Sequence, residues 1–199
     1  MSLTIFGTSR SRAFRVLWMA TELGLEFEHE ALPWQSCRND ARYLLINPAG
    51  TIPAISDSGF VLAESLAINI YLAQKARMLW PADPKDQAKV LQWTLWVATS
   101  LESAYTQWTS HTYWLSESAR DAAQANSAAA DMQGPLDRLE LALSESGWLV
   151  GASFSAADLN VASVIGFVSR FEPEKRPHIG NWLDRCKTRP AYQKASKLP

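Results

Sequence analysis

The sequence contains few of the residues that build metal sites. Only two cysteines, Cys37 and Cys186, and three histidines occur among 199 residues. The cysteines lie far apart, and their spacing matches neither a Cys-x-x-Cys pair nor a set of metal ligands. Free thiols persist in reducing compartments. We therefore expect no bound metal and a cytoplasmic location.

Strong charge and long apolar runs are also missing. The formal net charge is −1, which gives no general attraction to nucleic acid or to an anionic membrane. No run of about 18 apolar residues is present, so we expect no membrane span. The first residues lack the basic segment and apolar core of a secretory signal. We expect a cytoplasmic protein with no nucleic-acid or membrane partner.

Tryptophan, by contrast, is abundant. The chain has nine tryptophans, and most of them lie between Trp80 and Trp148. This clustering predicts an aromatic-rich interior or pocket in the second half. A chain of this length can form one large domain or two small ones.

The first residues follow a strand–helix–strand order. Residues 3–6 are apolar and end at Gly7, which predicts a strand, and residues 13–23 have helical periodicity that ends at Gly24. Residues 27–32 predict a second strand. This order implies a parallel βαβ unit. A short helix is predicted over residues 40–46.

Residues 47–65 form the segment around which the first part is organised. Pro53 stands at the start of an apolar run, where a proline requires a sheet edge or a bend. Residues 54–56 and 60–62 predict a β-hairpin with its turn at 57–59. A helix follows from Ser65, the predicted cap, to about residue 77. An open backbone at Ile52 facing a helix N-terminus suits a peptide-like anion.

The pattern becomes helical after a proline-rich linker. We predict an α/β domain with a mixed four-stranded sheet over residues 1–78, a linker over 79–85 and an all-helical domain over 86–199. One long helix is expected from residue 86 to 111 and another from 116 to 143. Ser155 and Asp158 form a capping box, for which we expect a structural role.

Read together, these motifs make the chain resemble the glutathione transferases over nearly its whole length. The residues that carry the resemblance are Ser9, Ser11, Arg15, Val16, Leu17, Asn47, Pro48, Gly50, Ile52, Pro53, Glu64, Ser65, Trp80, Pro81, Ser155, Asp158, Leu159, Arg189, Pro190, Ala191 and Tyr192. The resemblance implies a thioredoxin-like N-terminal domain and an all-α C-terminal domain, with glutathione as co-substrate.

The resemblance assigns ligand contacts to residues 51–65. Pro53 corresponds to a cis-proline, and Ile52 to the residue whose backbone pairs with the cysteinyl part of glutathione. The pair Glu64 and Ser65 corresponds to the γ-glutamyl site. Thr51 takes a position that often holds lysine in relatives. Arg42 and Arg38 are alternative cations for the far carboxylate.

The resemblance implies a thiol-activating group near the end of the first strand and the start of the first helix. In that place the sequence has Thr8, Ser9 and Ser11, and it has no tyrosine or cysteine. A hydroxyl donor and a helix dipole favour the thiolate over the thiol, whose usual pKa is about 8.5. We favour Ser11 and then Ser9. The alternatives are that both serines only cap the helix, or that Arg10 or Arg12 stabilises the thiolate.

The resemblance also implies an electrophile site lined by the first long helix. Its candidates are Trp93, Trp96, Ser100 and Tyr105, with Phe6 or Arg12 on the opposite wall. Each tryptophan can equally be a core residue.

Three functions remain compatible with these residues. The favoured one is a homodimeric enzyme that joins the glutathione thiolate to a small apolar electrophile. The first alternative is a non-catalytic binding or regulatory protein of the same fold. The second is a glutathione-dependent peroxidase or lyase.

Overall fold

A computed structural model describes residues 2–166 and 168–199 and divides the chain into two compact units. The first unit joins the residues up to Pro81 with Lys187–Pro199, and the second is Ala82–Cys186. The expected boundary therefore differs at the C-terminus, because the last residues belong to the first unit and not to the helical one.

The first unit is built on a mixed four-stranded sheet, as predicted. Its strands are β1 (Leu3–Phe6), β2 (Glu28–Glu30), β3 (Ala54–Asp57) and β4 (Phe60–Ala63), and their order is β2-β1-β3-β4. Strands β1 and β2 are parallel, which confirms the βαβ unit, while β3 is antiparallel to both β1 and β4.

Four helices accompany the sheet: α1 (Ala13–Glu22), α2 (Ala41–Ile46), α3 (Ser65–Ala76) and α9 (Pro190–Ala195). Helix α1 packs against α3 and α9. The Tyr192 ring of α9 meets Phe14 and Trp18 edge-on, with centroid distances of 5.2 and 5.0 Å. These contacts are the physical reason why the C-terminal residues join the first unit.

The hairpin turn is one residue shorter than predicted. It contains only Ser58 and Gly59, both with positive φ, which suits the tight twist of a two-residue hairpin. Asp57 is instead the last residue of β3. Its buried carboxylate accepts hydrogen bonds from the Tyr71 hydroxyl at 2.7 Å and from Lys75.

The second unit is helical, but its expected first helix is interrupted. Helix α4 (Pro84–Trp96) is followed by a π-helical turn (Val97–Leu101), helix α5 (Glu102–Thr109) and a second π-helical turn (Ser110–Trp114). Buried Trp93, Val97, Leu101 and Tyr105 recur every four residues. That spacing drifts about 40° per turn around an α-helix, and a wider π turn returns the series to the core.

Three further α-helices lie in the described part of this unit: α6 (Ala122–Ser146), α7 (Ala156–Val164) and α8 (Pro177–Lys187). Helix α6 begins later than predicted because Asp121 caps it, accepting from the N–H groups of Ala123 and Gln124. The predicted capping box at α7 is confirmed. Asp158 Oδ2 accepts from the Ser155 N–H at 2.9 Å and from its hydroxyl at 2.8 Å.

Candidate functional site

Three connecting segments leave the sheet of the first unit at the same end. Phe6, the last residue of β1, pairs with Ala54 at the start of β3, and Ala54 pairs with Ala63 at the end of β4. The loop after β1, the bend before β3 and the start of α3 therefore lie side by side. Gly7 has φ +119, and a Cβ there would lie 2.7 Å from the Ala13 Cβ, so this close approach requires glycine.

The bend before β3 presents an open backbone. The peptide bond between Ile52 and Pro53 is cis. Among residues 2–166 and 168–199, no group forms a hydrogen bond with the main-chain N–H or C=O of Ile52. Strand ladders normally consume such groups, so this N–H and C=O pair can bind an extended peptide main chain.

The start of α3 brings together donor and cationic groups, and we call this group of side chains and N–H groups the anion pocket. The buried Arg15 donates from Nη1 to the Ser65 hydroxyl oxygen at 3.3 Å. The Ser65 hydroxyl donates to no acceptor in the described part of the chain, so its proton is available to a ligand. The N–H groups of residues 65–67 donate to no partner in the described part of the chain. A guanidinium, a hydroxyl donor and a helix N-terminus together suit a carboxylate.

One detail of the predicted cap is wrong. Ser65 is the first residue of α3, and Glu64 occupies the N-cap position without a side-chain capping bond. Glu64 has φ 70 and ψ 104, a strained backbone for a residue with a Cβ. Its exposed carboxylate contacts no cation in the described chain. It stands beside the anion pocket, where it can receive an ammonium group.

The candidate hydroxyls after β1 are both hydrogen-bonded within the chain. The Ser11 hydroxyl donates to the Thr8 carbonyl oxygen at 2.8 Å and accepts from the Ala13 N–H at 3.1 Å, which caps the start of α1. The Ser9 hydroxyl donates to the Leu198 carbonyl oxygen at 2.5 Å. The Ser9 N–H donates to the main-chain oxygen of Pro199 at 2.9 Å.

The charged candidates around this loop differ in position. Arg10 and Arg12 are both exposed. Arg42 lines a cavity of about 120 Å³ whose other lining residues are Phe6, Glu30, Leu32, Asp40, Tyr43 and Ile46. Arg38 adjoins the loop itself, since a Cβ on Gly50 would lie 3.0 Å from the Arg38 Cα. The structure therefore places Arg38 against the loop at Gly50.

Thr51 is held by its backbone. Its carbonyl oxygen accepts from the Tyr43 hydroxyl at 2.5 Å and from Asn47 Nδ2 at 2.8 Å. Its hydroxyl oxygen accepts from the same Asn47 nitrogen at 3.2 Å.

The aromatic candidates of the second unit are buried. The rings of Trp93 and Trp96 meet edge-on at 4.9 Å, and the Arg138 guanidinium lies 5.4 and 5.7 Å from their centroids. Tyr105 packs near Trp108 at 6.3 Å, whereas Ser100 is exposed on the first π-helical turn. Phe6 is also buried and packs on Tyr43. Within each unit, the structure favours core roles for these rings.

The described residues lack the features of two other classes of site. No three histidine, cysteine or acidic side chains among them come together as metal ligands. None of the helices in that part of the chain has the length and apolar character needed to cross a membrane.

Comparison with known proteins identifies the family. The model of the glutathione S-transferase N-terminal domain matches residues 1–74, and that of the C-terminal domain matches residues 101–190. The chain belongs to the glutathione S-transferase family. The predicted thioredoxin-like plus all-α architecture is confirmed with it.

Individual relatives match along the whole chain. A glutathione S-transferase-like protein of Aspergillus fumigatus is 31% identical, with 96% of this chain and 93% of that protein covered. A theta-class glutathione S-transferase of Xanthomonas axonopodis pv. citri, solved with glutathione bound, is 29% identical with a TM-score of 0.88, covering 99% and 98%. Ure2p in complex with S-hexylglutathione shares the fold at 22% identity and a TM-score of 0.87, covering 98% of each chain.

Sequence reasoning gave no role to three residues of this site, Arg15, Tyr43 and Asn47. The sequence contained a signal for Arg15, because this single charged residue interrupts the otherwise apolar run from Ala13 to Leu17. The structure shows that Arg15 is buried with that run. A buried arginine requires a polar partner. No comparable signal marks Tyr43, since a tyrosine on a short helix is ordinary.

Proposed function

We propose that this chain is a cytoplasmic glutathione transferase that binds glutathione on its first unit and joins the thiolate to a small apolar electrophile. The observation that carries the proposal is the set of open donors at one end of the sheet. Ile52 offers a free main-chain pair, and Ser65 with Arg15 and the α3 N-terminus offers an anion pocket.

These groups match the chemistry of glutathione from end to end. The cysteinyl main chain pairs with the N–H and C=O of Ile52, beside Pro53. The γ-glutamyl carboxylate enters the Ser65 pocket, and its ammonium meets the Glu64 carboxylate. For the far carboxylate we favour Arg38 over Arg42, because Arg38 adjoins the loop at Gly50, and Thr51 of the same loop is a further candidate contact.

Ser11 is the proposed thiol-activating residue. Its hydroxyl stands at the N-terminus of α1 and donates to a local carbonyl, so a rotation about its own side chain redirects the proton to sulfur. The Ser9 hydroxyl instead donates to Leu198, so redirecting its proton would release a contact that ties the C-terminal segment to this loop, whereas the Ser11 contact is local. A hydrogen bond to the thiolate lowers the thiol pKa. The thiolate then forms a bond to the electrophilic carbon, either by addition or by substitution in which the bond to the leaving group breaks and that group departs as an anion.

We propose that Ser100, exposed on the first π-helical turn, contributes a polar contact to the electrophile. Arg12, exposed beside the start of α1, is a separate candidate contact that rests on the family resemblance. Trp93, Trp96 and Tyr105 support the surface of the helical unit from within its core.

A homodimer is part of the proposal. Edge strand β4 exposes Phe60 and Val61 with half or nearly half of their surfaces in solvent. Apolar side chains on a sheet edge favour association with a second copy. Light scattering of the purified protein is expected to give twice the chain mass, and a monomer at micromolar concentration would contradict this part.

The main test combines titration calorimetry with glutathione and a conjugation assay with an activated aryl chloride. We expect saturable one-site binding and turnover. Ser11→Ala is expected to lower kcat by at least about tenfold with little change in glutathione affinity, because a positioned proton donor acts mainly on the thiolate. Ser9→Ala is the matched control. Absence of glutathione binding would contradict the whole proposal.

The second candidate is glutathione binding without transfer. It is favoured by one observation, that the Ser9 and Ser11 hydroxyls already have acceptors within the chain. The same experiment separates the two, since this candidate gives binding but no turnover with any electrophile.

A further inference from the structure

The carbonyl oxygen of Thr51 and the N–H of Ile52 belong to one planar peptide unit. The two groups point in opposite directions because the unit is trans and rigid. Any group that fixes the direction of the Thr51 oxygen therefore fixes the direction of the Ile52 N–H. That N–H is one of the open donors of the candidate glutathione site.

Two side-chain donors converge on the Thr51 oxygen. The Tyr43 hydroxyl lies 2.5 Å from it, and Asn47 Nδ2 lies 2.8 Å from it. Both side chains are buried, at 3% and 6% exposure. A carbonyl oxygen with two donors has both lone pairs engaged, so the peptide unit has a single favoured orientation.

The donors are themselves fixed by packing. Tyr43 lies on α2, and its ring packs on Phe6 of β1 with centroids 5.5 Å apart. Burial raises the pKa of Tyr43, so its phenol stays protonated and remains a donor. One residue earlier in the loop, the buried Cys37 thiol donates to the Gly50 carbonyl oxygen at 2.9 Å. The strand, α2 and the loop thus form one rigid support.

We propose that Tyr43 is a positioning residue that aims the Ile52 N–H at the cysteinyl part of glutathione, with Asn47 as its partner. The inference rests on the proposed function, because it assigns the use of that N–H to glutathione. Tyr43 does not touch the ligand in this arrangement. It acts through the Thr51–Ile52 peptide, and it gives the short helix α2 a role in ligand binding.

The decisive variant is Tyr43→Phe, which removes one hydroxyl and keeps the ring. Loss of one donor is expected to weaken glutathione binding by about 3- to 10-fold, the usual range for a single hydrogen bond. KM for glutathione should rise accordingly while KM for the electrophile stays within about twofold. Tyr192→Phe is the matched control, since Tyr192 is a partly buried tyrosine of the same unit that packs through its ring.

A second measurement separates positioning from loss of stability. In ¹⁵N relaxation experiments, the Ile52 amide of Tyr43→Phe should become more mobile than in the wild type, and saturating glutathione should restore its order. Should Tyr43→Phe fail to fold, Asn47→Asp tests the same oxygen by removing the Nδ2 donor. It should also weaken glutathione binding.

The outcomes distinguish the two proposals. If the wild type does not bind glutathione, the proposed function fails. If the wild type binds and Tyr43→Phe binds equally well with an unchanged Ile52 amide, the positioning role is overturned. An equal rise in both KM values would also overturn it, because a general loss of structure does not discriminate between substrates.

Discussion

Two polar centres in this protein use similar groups but differ in whether the donors meet an acceptor inside the chain. At Asp158, donors from Leu149, Ser155 and Trp182 surround one fully buried carboxylate at 2.8–3.0 Å. At the end of the sheet, the N–H groups of Ile52 and of the first α3 residues meet no acceptor in the described chain. Donors that already have acceptors within the chain, which we call a closed centre, stabilise the fold. Donors without such acceptors, which we call an open centre, are available to a ligand.

This contrast bears on how motif residues are interpreted. Ser155 and Ser65 each stand beside a helix start in a motif of the family. The Ser155 hydroxyl donates to a buried carboxylate. The Ser65 hydroxyl oxygen accepts from Arg15, and the hydroxyl donates to no acceptor in the described chain. The direction of the hydrogen bonds thus separates the structural Ser155 from Ser65, the serine that we propose binds the ligand.

The largest expected effect is at the closed centre. Asp158→Ala should lower the free energy of unfolding by about 3–5 kcal/mol, because it leaves several buried donors without an acceptor. Urea denaturation measures the change. Asp131→Ala, at an exposed position of α6 in the same unit, should cost less than about 0.5 kcal/mol. Equal effects for the two variants would contradict the distinction.

At the open centre, a substitution should change glutathione binding more than it changes the free energy of unfolding. Ser65→Ala is expected to weaken glutathione binding by about 1–3 kcal/mol through loss of a charge-assisted contact. Its unfolding free energy should change by less than about 1 kcal/mol. Calorimetric titration and urea denaturation give the two numbers, with Ser36→Ala as an exposed control. A variant that loses stability but keeps its affinity would make Ser65 structural.

Glu64 offers a test in which stability and binding change in opposite directions. Glycine adopts positive φ readily, so Glu64→Gly should raise the free energy of unfolding by about 0.5–1 kcal/mol. The same change removes the carboxylate proposed to meet the glutathione ammonium, and affinity should fall. Thermal melting with and without glutathione measures both effects. If Glu64→Gly is less stable than the wild type and binds glutathione with the same affinity, Glu64 has neither role.

The smallest expected effect concerns a closed centre in the first unit. Burial raises the pKa of Asp57, but hydrogen bonds from Lys75 and Tyr71 outweigh it and leave the pKa below its usual value. A carboxyl with a lowered folded pKa stabilises the fold above its unfolded pKa, and this contribution is lost as the pH falls below about 4.

Asp57→Asn should therefore remove part of the acid sensitivity of unfolding, by less than about 1 kcal/mol because Lys75 is partly exposed. The hydrogen bond to Asp57 also raises the pKa of Tyr71 to about 12. In the variant, the Tyr71 phenol should titrate at a lower pH in ultraviolet absorbance. An unchanged titration would mean that the two side chains do not interact in solution.

Much of the fold could be predicted from the sequence because it depends on local signals. The apolar strand at residues 3–6, the amphipathic α1, the glycine at the hairpin turn and the Ser155–Asp158 box each act over a few residues. The π-helical turns were missed, although the four-residue spacing of buried side chains from Trp93 to Tyr105 was visible. The sequence also did not show that residues 187–199 belong to the first unit, because this depends on the packing of Tyr192 against α1.

The sequence by itself determined the family, the architecture and the position of the binding loop, since proline, glycine and apolar periodicity restrict the backbone locally. Only the tertiary structure decided which polar groups are already paired. In the folded unit Arg15 donates a hydrogen bond to Ser65, and both Tyr43 and Asn47 donate to the Thr51 carbonyl oxygen. The Ser9 hydroxyl donates to the carbonyl oxygen of Leu198 near the C-terminus. These pairs join residues that are distant in the chain or whose side-chain directions depend on packing. A hydrogen bond requires a specific distance and direction, and those are fixed only when the whole unit has packed.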